Sequence, residues 1–252
     1  MARNIVITGG SGGIGKRLVN YFTGGKDVVF SLSRTDGGAG NYYYCDVSDQ
    51  SNVDNVFDEI GGKYKKIDLL ILCSGIGLGG DIESTPADKV KQVFDVNFYG
   101  ALYSVKAALK YMDRGGRIIF ISSAAAFFAL PYRSIYSASK AAVNILSAAL
   151  AAELKGRGIG VSSICPGEID NGFVANRLWH GDNSDKIKGL KERLKSKKRM
   201  DADKAAKKIF SITQKKHLRP MYIVGLKYKF FYLASKILSF RLMHKIINKK
   251  YG

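Results

Sequence analysis

No acidic residue follows Asp203 in this chain of 252 residues. From residue 186 to the end, 21 Lys and Arg stand against 3 Asp and Glu, whereas residues 1–185 carry 19 against 18. The formal charge of +19 is therefore gathered at one end. Such a one-sided spread points to an anionic partner for that end: nucleic acid, an anionic lipid surface or an acidic substrate. Cysteine occurs three times, at Cys45, Cys73 and Cys165, each in or beside an apolar stretch. That scatter does not suit a disulfide framework or a thiolate metal site, and fits buried thiols in a reducing compartment. There are three histidines and no ligand-spaced cluster, so no metal is expected. The longest uncharged run, 118–132, has 15 residues and contains Pro131, short of the roughly 20 that a spanning helix needs. Strand-like NIVIT begins almost at once, so no signal peptide is expected. No linker composition or internal repeat divides the chain.

Apolar residues make up 46% of the chain, ample for a core, and 28 glycines point to many tight turns. NIVIT, DVVFSLS, NYYYCD, IDLLILCSG, GRIIFISS, IGVSSICPG and PMYIVG read as strands. Helical patterns are expected at 13–23, 53–60, 86–96, 98–111, across YSASKAAVNILSAALAAELKG, in DADKAAKKIFSIT and through the tail. Strands alternating with helices predict an α/β fold, a single doubly wound domain of Rossmann type with a central parallel sheet.

ITGGSGGIG lies between the first strand and first helix, and Gly10, Gly12 and Gly15 match G-x-G-x-x-G. Glycines there let the chain turn sharply and let a pyrophosphate reach the N–H groups at the helix start. A dinucleotide site usually shows an acid about 20 residues further on, for the ribose. Here the second strand ends in Ser33 and Arg34. A cation at that point suits a 2′-phosphate, so NADP is favoured over NAD. Further along, Tyr136 and Lys140 stand four apart on one helical face. An ammonium favours the phenolate and lowers a phenol pKa near 10 toward a useful range. Ser123 lies thirteen residues upstream at a strand end, where its hydroxyl could hold a carbonyl oxygen.

On these residues the chain resembles the short-chain dehydrogenase/reductase family from Arg3 to about Gly225. The family's TGxxxGxG turn falls on Thr8, Gly9, Gly13 and Gly15, and its Y-x-x-x-K on Tyr136 and Lys140. Its serine falls on Ser123, its asparagine on Asn97 and its strand-end aspartate on Asp46. Its proline–glycine falls on Pro166 and Gly167, and Arg34 takes the position used for the 2′-phosphate. The resemblance implies catalysis by Asn97, Ser123, Tyr136 and Lys140. It also implies cofactor contacts from Thr8, Gly9, Ser11, Gly13, Ile14, Gly15, Ser33, Arg34, Asp46, Val47, Gly75, Asn97, Tyr136, Lys140, Pro166, Gly167, Ile169 and Asn171. In the implied reaction NADPH gives hydride to a carbonyl carbon, Tyr136 protonates the oxygen and Ser123 orients it. Lys140 binds the nicotinamide ribose, and Asn97 holds a water on the proton path. There are two departures. Leu72, Cys73, Ser74 and Gly75 stand where the family has N-N-A-G, and Asn171 stands where it often has Thr. Altered strand tethering with chemistry retained is the expectation.

A domain at 1–225 is thus expected, with a flap over the substrate at about 168–199, followed by a basic amphipathic helix at 226–252. Phe173, Val174, Leu178 and Trp179 in the flap suit an apolar substrate, or ordinary packing. No helix-turn-helix, zinc pattern or aromatic-interleaved basic sheet supports nucleic acid. In the tail Leu233, Ile237, Phe240, Met243 and Ile247 recur at three and four, while Lys236, Arg241 and Lys245 make spanning costly. The tail is expected either to lie on an anionic membrane surface or to pack on another subunit of a homodimer or homotetramer. The reading is a cytoplasmic NADP-dependent carbonyl reductase of a small hydrophobic, lipid-like substrate, peripheral at a membrane where the tail lies on one. A soluble reductase of a polar metabolite, or a nucleotide-binding regulatory protein, are the alternatives.

Overall fold

The structure is a computed structural model that describes residues 2–170, 172–173, 178–180, 188–189, 192 and 199–251. In chain order it runs β1 (Asn4–Thr8), α1 (Gly13–Thr23), β2 (Val28–Ser33), β3 (Asn41–Tyr44), α2 (Gln50–Tyr64), β4 (Leu69–Leu72), α3 (Ala87–Phe94) and α4 (Gly100–Ala108). It continues with β5 (Arg117–Ile121), α5 (Ser134–Glu153), β6 (Gly160–Pro166), α6 (Ala202–Thr213), β7 (Met221–Val224), α7 (Leu226–Ile237) and α8 (Phe240–Tyr251). The strands form one parallel sheet in the order β7-β6-β5-β4-β1-β2-β3. This is the expected doubly wound arrangement, with the order reversing between β1 and β4.

Both faces of the sheet are covered, and the period of two decides which residue faces which layer. Val6, Phe30, Leu32, Leu70, Leu72, Ile118 and Phe120 pack with α2, α4 and α5. Ile5, Ile7, Val29, Leu69, Ile71, Ile119 and Ile121 pack with α1 and α6 on the other side.

Three elements differ from expectation. Helix α2 is longer than 53–60. Asp49 caps it by accepting the Asn52 N–H, and the helix runs on through Gly61, where a Cβ would collide with the Tyr111 ring. Between α3 and α4 the chain stays helical through a π-turn at Asp95–Tyr99. Its extra residue per turn re-aims the side chains, and Asn97 lies within it. The tail is two helices, not one. Leu238 is extended (φ −80°, ψ 144°), and Ser239 caps α8 by accepting the Leu242 N–H at 3.4 Å on its hydroxyl. The bend turns Met243 and Ile247 inward onto Ala125, Leu130 and Tyr136, so the face expected from periodicity is divided between two directions.

Candidate active site

At the end of β1 the chain turns back under itself. Gly9 has φ +69°, and a Cβ there would lie 2.8 Å from the Ser74 nitrogen. Gly15 packs so closely on the Gly9 carbonyl that it too admits no side chain. The N-cap of helix α1 is Gly12, which offers no side-chain cap, and the first turn carries no acid. Its leading N–H groups are thus uncapped beside a cavity lined by Gly9, Ser11, Gly13 and Ile14, the arrangement that receives a phosphate. Thr8 and Gly15 do not line the cavity. The Thr8 hydroxyl accepts N–H groups from Cys73 (3.1 Å) and Ser74 (3.3 Å), tying the end of β4 to that of β1. That tether survives the loss of the asparagine pair, and Leu72 serves the core instead.

Beyond the turn, Ser33, Arg34, Asp46 and Val47 form the next wall. Ser33 donates to the Thr35 carbonyl at 2.7 Å. Burial opposes ionisation of Asp46. The Ser48 hydroxyl and amide, together with the Arg34 charge, outweigh it and hold the carboxyl below its usual range. Arg34 itself is exposed, at the mouth of the wall. The residues present fit a dinucleotide: uncapped helix amides at one point, and a cation and a carboxylate at another.

Tyr136 and Lys140 lie one turn apart on α5, both buried and both on the cavity. The Lys140 Nζ donates to the Ile121 carbonyl at 3.1 Å. Burial pushes its pKa down to about 8. Ser122 donates to the Lys140 carbonyl at 3.1 Å and pins this turn of α5 to the end of β5. The Ser123 oxygen accepts the Ala125 N–H at 3.1 Å, which leaves its hydrogen available to donate. Asn97 accepts the Ile76 N–H (2.8 Å) and donates to the Ile76 carbonyl (3.0 Å) and the Ser139 hydroxyl (3.0 Å). Both of its amide hydrogens are thus committed, and one oxygen lone pair remains to receive a water. A Cβ on Gly75 would stand 3.2 Å from both Asn97 Oδ1 and Lys140 Nζ, so this glycine is what lets the β4 end lie over them.

Pro166, Gly167 and Ile169 close the opposite side. The Tyr228 ring lies flush against Gly167, where any side chain would collide, and its hydroxyl donates to Glu168 at 3.3 Å. Glu168 also pairs with the buried Arg133 at 3.3 Å. The cavity measures about 500 Å³. Its far walls are apolar: Phe128, Leu130, Phe173, Phe231, Ile246 and Ile247, with Phe173 5.6 Å from the Tyr136 ring. Cys73 adds to the lining. Burial pushes its thiol up to about 12, so it stays protonated and inert.

Asn171 and Val174 lie outside the described residues, as does most of the basic run at 185–199. Leu178 and Trp179 pair with Leu78 and Gly79 away from the cavity, and His180 hydrogen-bonds Gly79 beside them. Sequence reasoning missed Arg133, Glu168, Tyr228, Phe231, Ile246 and Ile247. Arg133 and Glu168 are 35 apart with no local signal. The tail aromatics were visible, but periodicity alone could not say which face turned in.

A sequence profile described as short chain dehydrogenase matches residues 3–180. The chain is 35% identical to the 3-ketodihydrosphingosine reductase of Bacteroides thetaiotaomicron over 178 residues, 69% of this chain and 66% of that protein. It is 32% identical to a probable short-chain type dehydrogenase/reductase, VdlC, of Helicobacter pylori over 238 residues, 88% of each. A solved short-chain dehydrogenase from Streptomyces avermitilis superposes with a TM-score of 0.83 at 21% identity, covering 99% of both chains. That last likeness speaks to the fold.

Proposed function

The chain belongs to the short-chain dehydrogenase/reductase family, and from that membership we propose that it is an NADP(H)-dependent reductase of a carbonyl on a small hydrophobic, lipid-like substrate. The observation that carries the reading is the continuity of one cavity. It runs from the uncapped start of α1, past Arg34 and Asp46, to Ser123, Tyr136 and Lys140, and ends on apolar walls. Bound there, a reduced nicotinamide would supply the hydride that the carbonyl carbon receives. Ser123 donates its hydroxyl hydrogen to the carbonyl oxygen and holds it in place. Tyr136 gives that oxygen its phenolic proton, and the Lys140 cation stabilises the phenolate left behind. Asn97 acts as a clamp that keeps Ile76 and Ser139 in register beneath them. The same groups serve the reverse oxidation.

Arg34, with no acid at the end of β2, supports NADP over NAD, since a guanidinium matches a 2′-phosphate. Phe128, Leu130, Phe173 and Phe231 support an apolar substrate, and the relative named as a 3-ketodihydrosphingosine reductase points the same way. The test is loss of NADPH absorbance with a panel of ketones and aldehydes, long-chain and short, run also with NADH. Turnover of a long-chain ketone with NADPH, lowered by about 10²–10⁴-fold in Tyr136→Phe, is expected. Full turnover by Tyr136→Phe would overturn the acid role. Preference for short polar carbonyls would overturn the substrate class.

A further inference from the structure

We propose that α7 and α8 dock the protein onto an anionic lipid bilayer, with the outer face of the pair against the lipid and the inner face roofing the cavity. Such docking is independent of which carbonyl is reduced. Along α7, Leu226, Phe230, Leu233 and Ile237 are 85%, 70%, 59% and 83% exposed. At 100° per residue these four fall within about 60° of arc, a single stripe. Tyr228, Phe231, Ser235 and Leu238 lie on the opposite side, where the helix packs inward. Lys229 and Lys236 flank the stripe on one side and Lys227 on the other, all exposed. On helix α8 Met243 and Ile247 are buried, while Leu242 and Ile246, about 40° apart on the helix, are exposed beside Arg241, Lys245 and Lys249. Phe240, 81% exposed, stands at the start of the helix on the side of the buried pair. Ile246 also lines the cavity, so the cavity rim reaches this surface.

Charge selects the occupant. None of these six cations forms an ion pair among the described residues, and no acid follows Asp203. A second copy applied to this face would bring cation against cation. Nucleic acid would meet the lysines but leave the aliphatic stripe in water. An anionic leaflet satisfies both: apolar side chains enter the acyl boundary, lysine stems extend along it, and the ammonium groups reach the headgroups.

The test is co-sedimentation of full-length protein with phosphatidylcholine vesicles, with or without phosphatidylserine. Wild type is expected to bind the phosphatidylserine vesicles, more weakly as NaCl is raised. Phe230→Glu/Leu233→Glu is expected to bind at least ~10-fold more weakly, since two large apolar side chains no longer enter the lipid. Lys229→Glu/Lys236→Glu, which leaves the stripe intact, is expected to lose the preference for phosphatidylserine. Turnover of a water-soluble ketone without vesicles should be unchanged in both variants, because none of the four residues lines the cavity. This arm reads the catalytic proposal separately. Wild type absent from the lipid pellet, or variants that bind as wild type does, would overturn the docking surface. So would a stripe substitution that alters only the oligomeric mass.

Discussion

Lys140 is 5% exposed, and the hydrogen-bond partner of its amine among the described residues is the Ile121 carbonyl. An unfolded lysine stays charged to about pH 10.5, whereas burial lowers this one to about 8. Below pH 8 both states are charged, and the folded state carries the full desolvation penalty. Between about 8 and 10.5 the unfolded state binds the extra proton, so stability rises with pH. In denaturant titrations without cofactor, wild type should gain about 2–3 kcal/mol relative to Lys140→Met between pH 7 and pH 10. A constant gap would show that the amine is not desolvated. Two kinetic outcomes belong to the same scale. Tyr136→Phe should lower kcat by about 10²–10⁴-fold, the range supplied by a general acid. Arg34→Ala should raise the KM for NADPH by about 10- to 100-fold while leaving that for NADH nearly unchanged, since only one of the two carries a 2′-phosphate for a charge-assisted bond.

Helix α8 is attached to the rest chiefly through Met243 and Ile247, packed on Ala125, Leu130 and Tyr136. Truncating a buried side chain of this size costs about 2–5 kcal/mol. In Met243→Ala/Ile247→Ala that loss should appear locally, as faster amide exchange confined to 240–251, with the sheet strands protected as before. The KM for a long-chain ketone should rise several-fold while that for NADPH holds, because α8 contributes to the apolar end of the cavity and not to the glycine turn. Elsewhere the elements followed local rules. Asp49 and Asp201 cap α2 and α6 through their side chains. The π-turn obeys none that the sequence displays. Its extra residue is explained by where Asn97 must reach, and that is a tertiary fact.

The two large core clusters on the faces of the sheet contain no residue beyond Val224. A chain ending at Gly225 should therefore still fold cooperatively, with a thermal midpoint within a few degrees of the full chain, while the cavity loses its Tyr228–Phe231–Ile247 wall. Calorimetry of both lengths checks this. A collapse of the transition would show that the tail is part of the fold and not an addition to it. The tail carries seven Lys and Arg and no acid, and it forms part of the cavity rim.

The sequence by itself determined the parallel sheet, since unbroken apolar runs such as LLIL (69–72) and IIFI (118–121) are of the kind buried on both faces. It also located the glycine turn, Tyr136 with Lys140, and Ser123, because each sits at a strand end or on one helical turn, within reach of local spacing. The direction of the tail was decided only by tertiary structure. Its apolar residues occur at nearly every position around the helix, so periodicity admits several faces. The break at Leu238 and the packing of Met243 and Ile247 choose among them. The Arg133–Glu168–Tyr228 contacts were decided in the same way. Nothing local links residues 35 and 60 positions apart until the sheet brings the ends of β5, β6 and β7 to one side.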